Sequence, residues 1–160
     1  MKILFKLLLL LLVINIKIVR SQENLYNPEI DGVIQLKEAI EKAKKEKKFV
    51  FVQVGGNWCP WCKKFYDFCS SVIEIDTMIK NNFVVVFLNY SKQNKNLNAM
   101  KMLDNPHRFG FPVIVILDSN GKRLHTQDTA LLEKNNSYDT LKVKRFISLW
   151  TPYGIHPKTK

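Results

Sequence analysis

Hydrophobic and polar positions fall into blocks along the chain, and the blocks have the two periods typical of helices and strands. Apolar residues recur at a helical spacing from Val33 to Ala43, and Asp31 lies where it can cap that helix. The next block, Phe49 to Val54, is almost entirely apolar and rich in β-favouring residues. Such a run is typical of a strand that is covered on both faces.

The same reasoning extends to the remaining blocks. Phe83 to Leu88 is a second fully apolar run, and two helical stretches separate it from the first. Strand, helix and strand therefore form one βαβ unit. The predicted elements, in order, are helices over Lys63–Ser70 and Ser71–Asn82, a loop over Tyr90–Asn98, a short helix near Ala99–Leu103, a strand over Pro112–Leu117, a turn at Asp118–Gly121, a strand over Lys122–Thr126, and a last helix capped by Asp139 or Ser137. Pro152 is expected to end that helix and to leave a loose tail.

The first residues have the composition of an export signal. Positive residues at Lys2 and Lys6 precede an apolar stretch from Leu7 to Ile14, and Ser21 offers a small residue at a cleavage point. The uncharged run is too short to span a bilayer, so a cleaved signal is predicted instead of an anchor. The domain prediction is therefore a signal over residues 1–21, a polar arm over 22–30, one domain over 31–151 and a tail over 152–160.

Charge adds little to this picture. The predicted signal carries four of the positive charges that make up the formal +11. The densest remaining charge, Lys42 to Lys48, is interleaved with glutamates at i,i+4 spacing, which is typical of a solvated helix face. No nucleic-acid-binding motif accompanies it, so nucleic acid is not an expected partner.

The sequence Trp58-Cys59-Pro60-Trp61-Cys62 lies between a predicted buried strand and a predicted helix. Two cysteines three residues apart on a helix lie within the range that a disulfide can bridge. A cysteine at a helix N-terminus feels unpaired N–H groups and the positive end of the helix dipole, which stabilise its thiolate. We therefore expect Cys59 to be an exposed nucleophile with a pKa below the free value of about 8.5, and Cys62 to lie behind it.

This arrangement resembles the thioredoxin superfamily. The resemblance covers about Asp31 to Trp150, and its specific parts are the Cys59–Cys62 motif and Gly110-Phe111-Pro112, where Pro112 lies 50 residues beyond Cys62. It implies a thioredoxin-like α/β fold, with three α/β/α layers around a central mixed sheet that is built from the βαβ unit, a C-terminal hairpin and a closing helix.

The resemblance also implies roles for individual residues. Cys59 would attack a partner's disulfide and Cys62 would resolve the mixed disulfide. Pro112 would be the family's cis-proline, and the backbone of the residue before it, Phe111, would pair with an extended substrate. The expected substrate-binding residues are Trp58, Pro60, Trp61, Phe111 and Pro112, and of the two tryptophans Trp61 is expected to be exposed.

Three positions differ from the best-known members of the superfamily. A buried carboxylate that can take the proton of the resolving thiol is replaced by Gln53, so proton transfer at Cys62 must use water or another base. Phe111 is bulkier than usual and would narrow the substrate groove. The pair Pro60-Trp61 differs from the Gly-Pro of reducing thioredoxins, which leaves the redox direction open.

Alternatively, the two cysteines form a plain structural disulfide or half of a zinc site. Zinc would need four ligands, and the sequence adds only Cys69 and the scattered histidines 107, 125 and 156, with no second paired spacing. Seven residues of helix separate Cys69 from Cys62, a rise of about 10.5 Å, so the two cannot bridge. Cys69 is therefore predicted to be a core residue.

The predicted function is thiol–disulfide exchange with exported proteins by a protein-disulfide oxidoreductase. No cofactor and no metal is expected, and the partners would be thiol- or disulfide-containing proteins and a redox partner protein. The protein is expected to be a monomer without stable membrane insertion after signal cleavage, in the periplasm or secreted. Two alternatives are a metal-carrying or non-catalytic thioredoxin-like binding module and a thiol peroxidase, which would form a sulfenic acid at Cys59.

Overall fold

A computed structural model describes residues 24–157. The predicted signal segment and the last three residues of the predicted tail lie outside the described residues. The helices of two or more turns are α1 (Gly32–Glu46), α2 (Pro60–Ser71), α3 (Ile73–Asn82) and α5 (Thr140–Leu149), and the shorter ones are α4 (Leu97–Met102) and α6 (Pro152–Ile155). The strands are β1 (Phe49–Gly55), β2 (Phe83–Asn89), β3 (Val113–Leu117), β4 (Arg123–Asp128), β5 (Glu133–Lys134) and β6 (Ser137–Tyr138), and short 3₁₀ turns lie at Pro106–Phe109 and Thr129–Leu132.

Four strands form a mixed sheet in the order β2-β1-β3-β4. β1 pairs with β2 in parallel and with β3 in an antiparallel direction. Every residue of β1 and of β3 is buried, as their almost entirely apolar sequences predict for central strands. β5 and β6 form a separate two-stranded ribbon, which the hydrophobic pattern did not predict because two residues are too few for a period.

Helices cover both faces of the sheet. On one face, α1 and α4 contribute Leu36, Ala43 and Met100 to a core with the inward valines of the strands. On the other face, α2, α3 and α5 pack Phe65, Ile75 and related side chains against the aromatic residues of β1 and β2. The predicted three-layer α/β/α architecture with a central mixed sheet is therefore confirmed.

Both predicted caps at the ends of the domain are present. The carboxylate of Asp31 accepts from the Val33 and Ile34 amides at 2.7 and 3.2 Å. The carboxylate of Asp139 accepts from the Leu141 and Lys142 amides at 2.9 and 3.1 Å. These bonds satisfy amides that the first turn of a helix leaves without a backbone partner.

The segment after Trp150 differs from the prediction of a loose tail. Pro152 does not simply end the preceding helix but begins α6, and the Thr151 hydroxyl accepts from the Gly154 amide at 2.9 Å. Proline is well tolerated in the first turn of a helix because its missing N–H has no partner there in any case. Among the helices of residues 24–157, none combines the length and the apolar composition that a membrane crossing requires.

Candidate functional site

The cysteine pair lies at the start of α2, directly after the carboxyl end of β1. Cys59 is the N-cap residue, with extended backbone angles, and Pro60 takes the first helical position. The Cys59 sulfur accepts a hydrogen bond from the Cys62 amide at 3.1 Å. The sulfur therefore takes the place that an Asp or Ser side chain has at an ordinary helix start.

Cys59 and Cys62 are joined in a disulfide, with their Cα atoms 5.3 Å apart. Cys62 is completely buried, as expected for the cysteine behind the nucleophile. The expectation that Cys59 is exposed was wrong for this oxidised form, since only 5% of Cys59 is accessible. Tyr26 lies in one cluster with the pair, and Phe111 packs against that cluster together with Leu25, Trp61 and Phe87.

Cys59 nonetheless borders the surface. It lines an open cleft of about 700 Å³, together with Pro60, Lys63, Lys64 and Ser137. Lys63 is paired with Asp67, whereas the Lys64 ammonium donates to backbone and side-chain oxygens of Asn136 at 2.8 and 3.0 Å. The less buried cysteine therefore borders a cleft whose wall carries two lysines and one aspartate, Asp67.

Aromatic side chains pack together on another side of the cysteine pair. Trp58 is 55% exposed, and its indole N–H donates to the Tyr90 carbonyl oxygen at 2.8 Å. The ring centroids of Trp58 and Phe111 lie 5.3 Å apart in an edge-on arrangement, and those of Tyr90 and Phe111 lie 5.1 Å apart. Trp58 and Phe111, both predicted to bind substrate, thus share one apolar surface beside Cys59.

Trp61 does not belong to this exposed surface, contrary to the prediction. It is half-buried, with its ring edge-on to Tyr138 at a centroid distance of 5.5 Å. The Lys64 ammonium lies 4.1 Å from the centroid of the indole. Tyr138 is 77 residues away in sequence and lies in β6, a strand that was not predicted, so the sequence around Trp61 gave no sign of this cover.

The Phe111–Pro112 peptide bond is cis, which confirms the expectation drawn from the resemblance. Val54 pairs with Val113, so Pro112 lies opposite Gly55, at the end of β1 that leads to the cysteines. The Pro112 carbonyl oxygen accepts from the Thr129 hydroxyl at 2.5 Å. Within residues 24–157, the Phe111 backbone N–H and carbonyl make no hydrogen bond, so they are available to an extended segment of another chain.

Behind Cys62 lies a polar pair that the sequence did not predict as a pair. Gln53 is 2% exposed, and its side-chain amide donates to the Tyr26 hydroxyl oxygen at 2.7 Å and to the Cys62 carbonyl oxygen at 3.0 Å. Tyr26 belongs to the predicted polar arm but is 1% exposed. The one sequence signal was a large aromatic residue in an otherwise polar stretch.

The Tyr26 backbone is fixed directly to the turn before the cysteines. Asn57 accepts from the Tyr26 amide at 3.1 Å and donates to the Tyr26 carbonyl oxygen at 2.7 Å. Burial raises the pKa of the Tyr26 hydroxyl well above its ordinary value of 10.0. Tyr26 is therefore a neutral hydrogen-bond donor at physiological pH.

Cys69 is a buried free thiol, as predicted for a core residue. Burial raises its pKa to about 12, with a smaller contribution from the charge of Asp76. Among residues 24–157, no group of three or more histidine, cysteine or acidic side chains is arranged to hold a metal ion. His107, which the sequence left outside the catalytic set, stacks on Tyr90 with ring centroids 5.2 Å apart.

Comparison with known proteins gives the same fold. A family profile described as thioredoxin-like matches residues 31–119, which is more than half of the chain. The crystal structure of disulphide isomerase from Xylella fastidiosa Temecula1 has a TM-score of 0.66 and 24% identity, over 77% of this chain and 93% of that one. A DsbH oxidoreductase structure has a TM-score of 0.50 and 21% identity, over 71% and 81% of the two chains.

One sequence relative adds a local match. Spermatogenesis-associated protein 20 from Mus musculus is 35% identical over 66 residues, which are 41% of this chain. They are 8% of that protein, so this chain matches only a small part of its relative.

Proposed function

Because the chain belongs to the thioredoxin-like family, we propose that it is an oxidoreductase that exchanges disulfides with other proteins through Cys59 and Cys62. One observation carries the proposal: a disulfide at the start of α2 whose less buried sulfur, that of Cys59, accepts a backbone N–H of the helix. That position stabilises a thiolate leaving group and a thiolate nucleophile equally.

The exchange takes place in two steps. In the reducing direction, the Cys59 thiolate attacks one sulfur of a partner's disulfide, forms a mixed disulfide and releases the other partner sulfur as a thiolate. The Cys62 thiolate then attacks the Cys59 sulfur, which breaks the mixed disulfide and releases the second partner sulfur. The partner gains two electrons and takes up two protons from solvent, and the protein is left with the Cys59–Cys62 disulfide. The reverse order oxidises a partner dithiol.

The surroundings of the cysteines support a protein partner. The free backbone groups of Phe111 can pair with an extended chain, and Trp58 and Phe111 offer that chain an apolar surface. Pro60 is exposed beside Cys59, whereas Trp61 would contribute mainly by holding Lys64 at the cleft. We propose thiol- or disulfide-containing exported proteins as substrates, on the basis of the signal-like sequence of residues 1–21.

Catalysis of insulin disulfide reduction by dithiothreitol tests the proposal. The wild-type protein should accelerate precipitation of the insulin B chain, and Cys59→Ser should lose about 10³-fold or more of that acceleration because the nucleophile is gone. Cys69→Ala is the matched control, since it removes the cysteine of the same helix that the mechanism does not use. A wild-type protein without activity, or a Cys59→Ser variant with full activity, would contradict the proposal.

The same protein preparations distinguish the proposed oxidoreductase from a thiol peroxidase and from a metal-carrying module. Turnover of hydrogen peroxide with a sulfenic acid at Cys59 would indicate a thiol peroxidase. Stoichiometric binding of copper or zinc by the reduced protein, with no effect on insulin, would indicate a metal-carrying module. Equilibration with glutathione would then give the redox direction, since a potential near about −270 mV is typical of a reductant and one near about −120 mV of an oxidant.

A further inference from the structure

The resolving cysteine has to lose its proton in a site without a buried acid. Among residues 24–157, the buried polar side chains other than tyrosine and cysteine are Gln53, Asn89, Thr129 and Thr151, and none of them is charged. Cys62 itself is completely buried. A buried thiol normally has a raised pKa, and a thiolate formed there needs a hydrogen-bond donor.

Tyr26 and Gln53 lie where such a donor is needed. Gln53 bridges the Tyr26 hydroxyl oxygen and the carbonyl oxygen of Cys62, and Tyr26 packs in one cluster with both cysteines. Gly55 lies between the two side chains, and a Cβ added there would collide with the Cys62 sulfur and with the Tyr26 hydroxyl oxygen. Both atoms therefore border the same small space, which the absent side chain of Gly55 leaves open.

The direction of the Tyr26 hydroxyl hydrogen follows from the Gln53 contact. Because the Gln53 amide donates to the hydroxyl oxygen, the hydroxyl hydrogen must point to another acceptor. Among residues 24–157, the Tyr26 hydroxyl donates no hydrogen bond, and the neighbouring Cys62 sulfur is only a weak acceptor while it is held in the disulfide. Reduction frees that sulfur, and a Cys62 thiolate is a much stronger acceptor.

We propose that the Tyr26 hydroxyl, oriented by Gln53, donates a hydrogen bond to the sulfur of Cys62 in the reduced protein and stabilises the thiolate that resolves the mixed disulfide. This inference rests on the proposed function. Tyr26 does not accept the thiol proton, which leaves to solvent, because the raised pKa keeps the tyrosine protonated. Gln53 is a positioning residue that acts through Tyr26.

The other titratable groups near Cys62 are few. Cys59 is its disulfide partner, and Tyr26 is the other titratable member of their cluster. Tyr138 packs against Trp61 and Phe65, outside the cluster of the two cysteines, and its hydroxyl donates to the Trp61 carbonyl oxygen at 3.4 Å. Lys63 and Lys64 lie at the cleft beside Cys59. Tyr26 is therefore the group whose removal should affect Cys62 selectively.

The test uses the full chain, reduced and labelled with ¹³C at the cysteine Cβ atoms, and follows each cysteine by NMR across pH. Tyr26→Phe keeps the ring and removes the hydroxyl, so it should raise the pKa of Cys62 by about one pH unit. Gln53→Met keeps the length of the side chain but loses the amide, and it should raise the same pKa by a smaller amount. Tyr138→Phe, which also removes a buried tyrosine hydroxyl, should leave that pKa unchanged.

Stopped-flow mixing with an aromatic disulfide that releases a coloured thiolate gives a second measure. The first release reports attack by Cys59, and the second reports resolution by Cys62. Tyr26→Phe should slow the second release at neutral pH by about threefold to tenfold and leave the first unchanged, since a higher thiol pKa leaves less thiolate.

Two results would overturn the inference. One is an unchanged Cys62 pKa in both Tyr26→Phe and Gln53→Met, and the other is an equal rise in Tyr138→Phe. If Tyr26→Phe does not fold, Gln53→Met decides alone. Insulin reduction by the wild-type protein is measured in parallel, so that failure of the proposed function itself, a wild type without activity, is seen separately from failure of this role for Tyr26.

Discussion

Two helices that pack on the same face of the sheet each begin after an N-cap side chain that accepts a hydrogen bond from the first turn, but the accepting atoms differ. α5 begins after Asp139, whose carboxylate accepts from two amides of the first turn. α2 begins after Cys59, whose sulfur accepts from the Cys62 amide at 3.1 Å. Both N-cap residues have extended backbone angles. Both sites therefore offer amide donors of the first turn to a side chain, and Asp139 accepts from two of them whereas Cys59 accepts from one.

At Asp139 the amide donors change the pKa of the side chain. The pKa of the carboxyl is held below its ordinary value of 3.8, mainly by the hydrogen bond from the Lys142 amide, with Lys134 and the Leu141 amide contributing further. The first turn of a helix therefore favours the charged form of an acidic side chain at its N-cap. Because a thiol is also an acid, the same argument predicts a lowered pKa for Cys59 in the reduced protein.

Cys69 shows what happens to a thiol elsewhere on the same helix. It lies in the last turns of α2, 6% exposed and far from the free amides of the first turn, and burial raises its pKa to about 12. Cys59 is buried to a similar extent in the disulfide, so we expect the amides at the helix start to separate the pKa values of the two thiols in the reduced protein.

The largest expected difference is between the two thiols of α2. In the reduced protein at neutral pH, Cys59 should react with iodoacetamide about 10³-fold faster than Cys69, because the helix-start amides stabilise its thiolate and it borders the cleft, whereas Cys69 stays protonated. The pH dependence of Cys59 alkylation should give a pKa below about 8.5. Mass spectrometry of the alkylated peptides measures both rates.

The control for this measurement is the same reaction in denaturant, where the two cysteines should react at similar rates. An ordinary pKa for Cys59 in the folded protein would break the analogy with Asp139. Fast alkylation of Cys69 in the folded protein would show that α2 opens more readily than its packing suggests.

The second prediction concerns Asp139 and has a defined sign. A carboxyl whose pKa is lowered by folding stabilises the protein above its unfolded pKa, and this contribution is lost as the pH falls through the folded pKa. Wild type should therefore be more stable than Asp139→Asn at about pH 7, and the two should converge by about pH 2. Urea unfolding at both pH values measures the difference.

The matched control is Glu41→Gln, which removes a carboxylate from an exposed position in α1. It should change the urea midpoint by less than Asp139→Asn at neutral pH. A constant difference between wild type and Asp139→Asn at both pH values would mean that the cap acts through shape alone and that charge at a helix start matters little in this protein.

Sequence reasoning predicted the elements that carry a long hydrophobic pattern. The buried strands β1 and β3 and the helices with apolar stripes follow from local residues, since burial on one or two faces has a period that the sequence shows. The Cys59–Cys62 pair followed from its spacing at a predicted helix start, whereas the cis bond before Pro112 followed from a family resemblance. β5, β6 and α6 are too short to give a period.

The missed parts of the site depend on residues that are distant in sequence. Gln53 and Tyr26 are 27 residues apart, and nothing in either local sequence shows that they meet behind Cys62. Trp61 was expected at the surface because it lies between the two cysteines of the motif, but Tyr138 covers it. Cys59 is buried for the same reason, because Phe111 and Tyr26 pack near it in the folded protein but are distant from it in sequence.

The smallest expected effect tests how much side-chain charge adds to the helix start. Lys63 is compensated by Asp67, whereas Lys64 has no acidic partner among residues 24–157 and lines the cleft beside Cys59. Lys64→Gln should slow alkylation of Cys59 at neutral pH by about twofold, because an exposed charge contributes only a few tenths of a kcal/mol. The effect should shrink in high salt.

Lys80→Gln is the matched control, because Lys80 is an exposed lysine of α3 that is paired with Asp76 outside the cleft. It should leave the alkylation rate of Cys59 unchanged at any salt concentration. If Lys64→Gln instead slowed alkylation by more than tenfold, side-chain charge would outweigh the backbone amides at Cys59. Asp139, where an amide is the first cause of the shift and a lysine a later one, would then be the wrong guide to the cysteine.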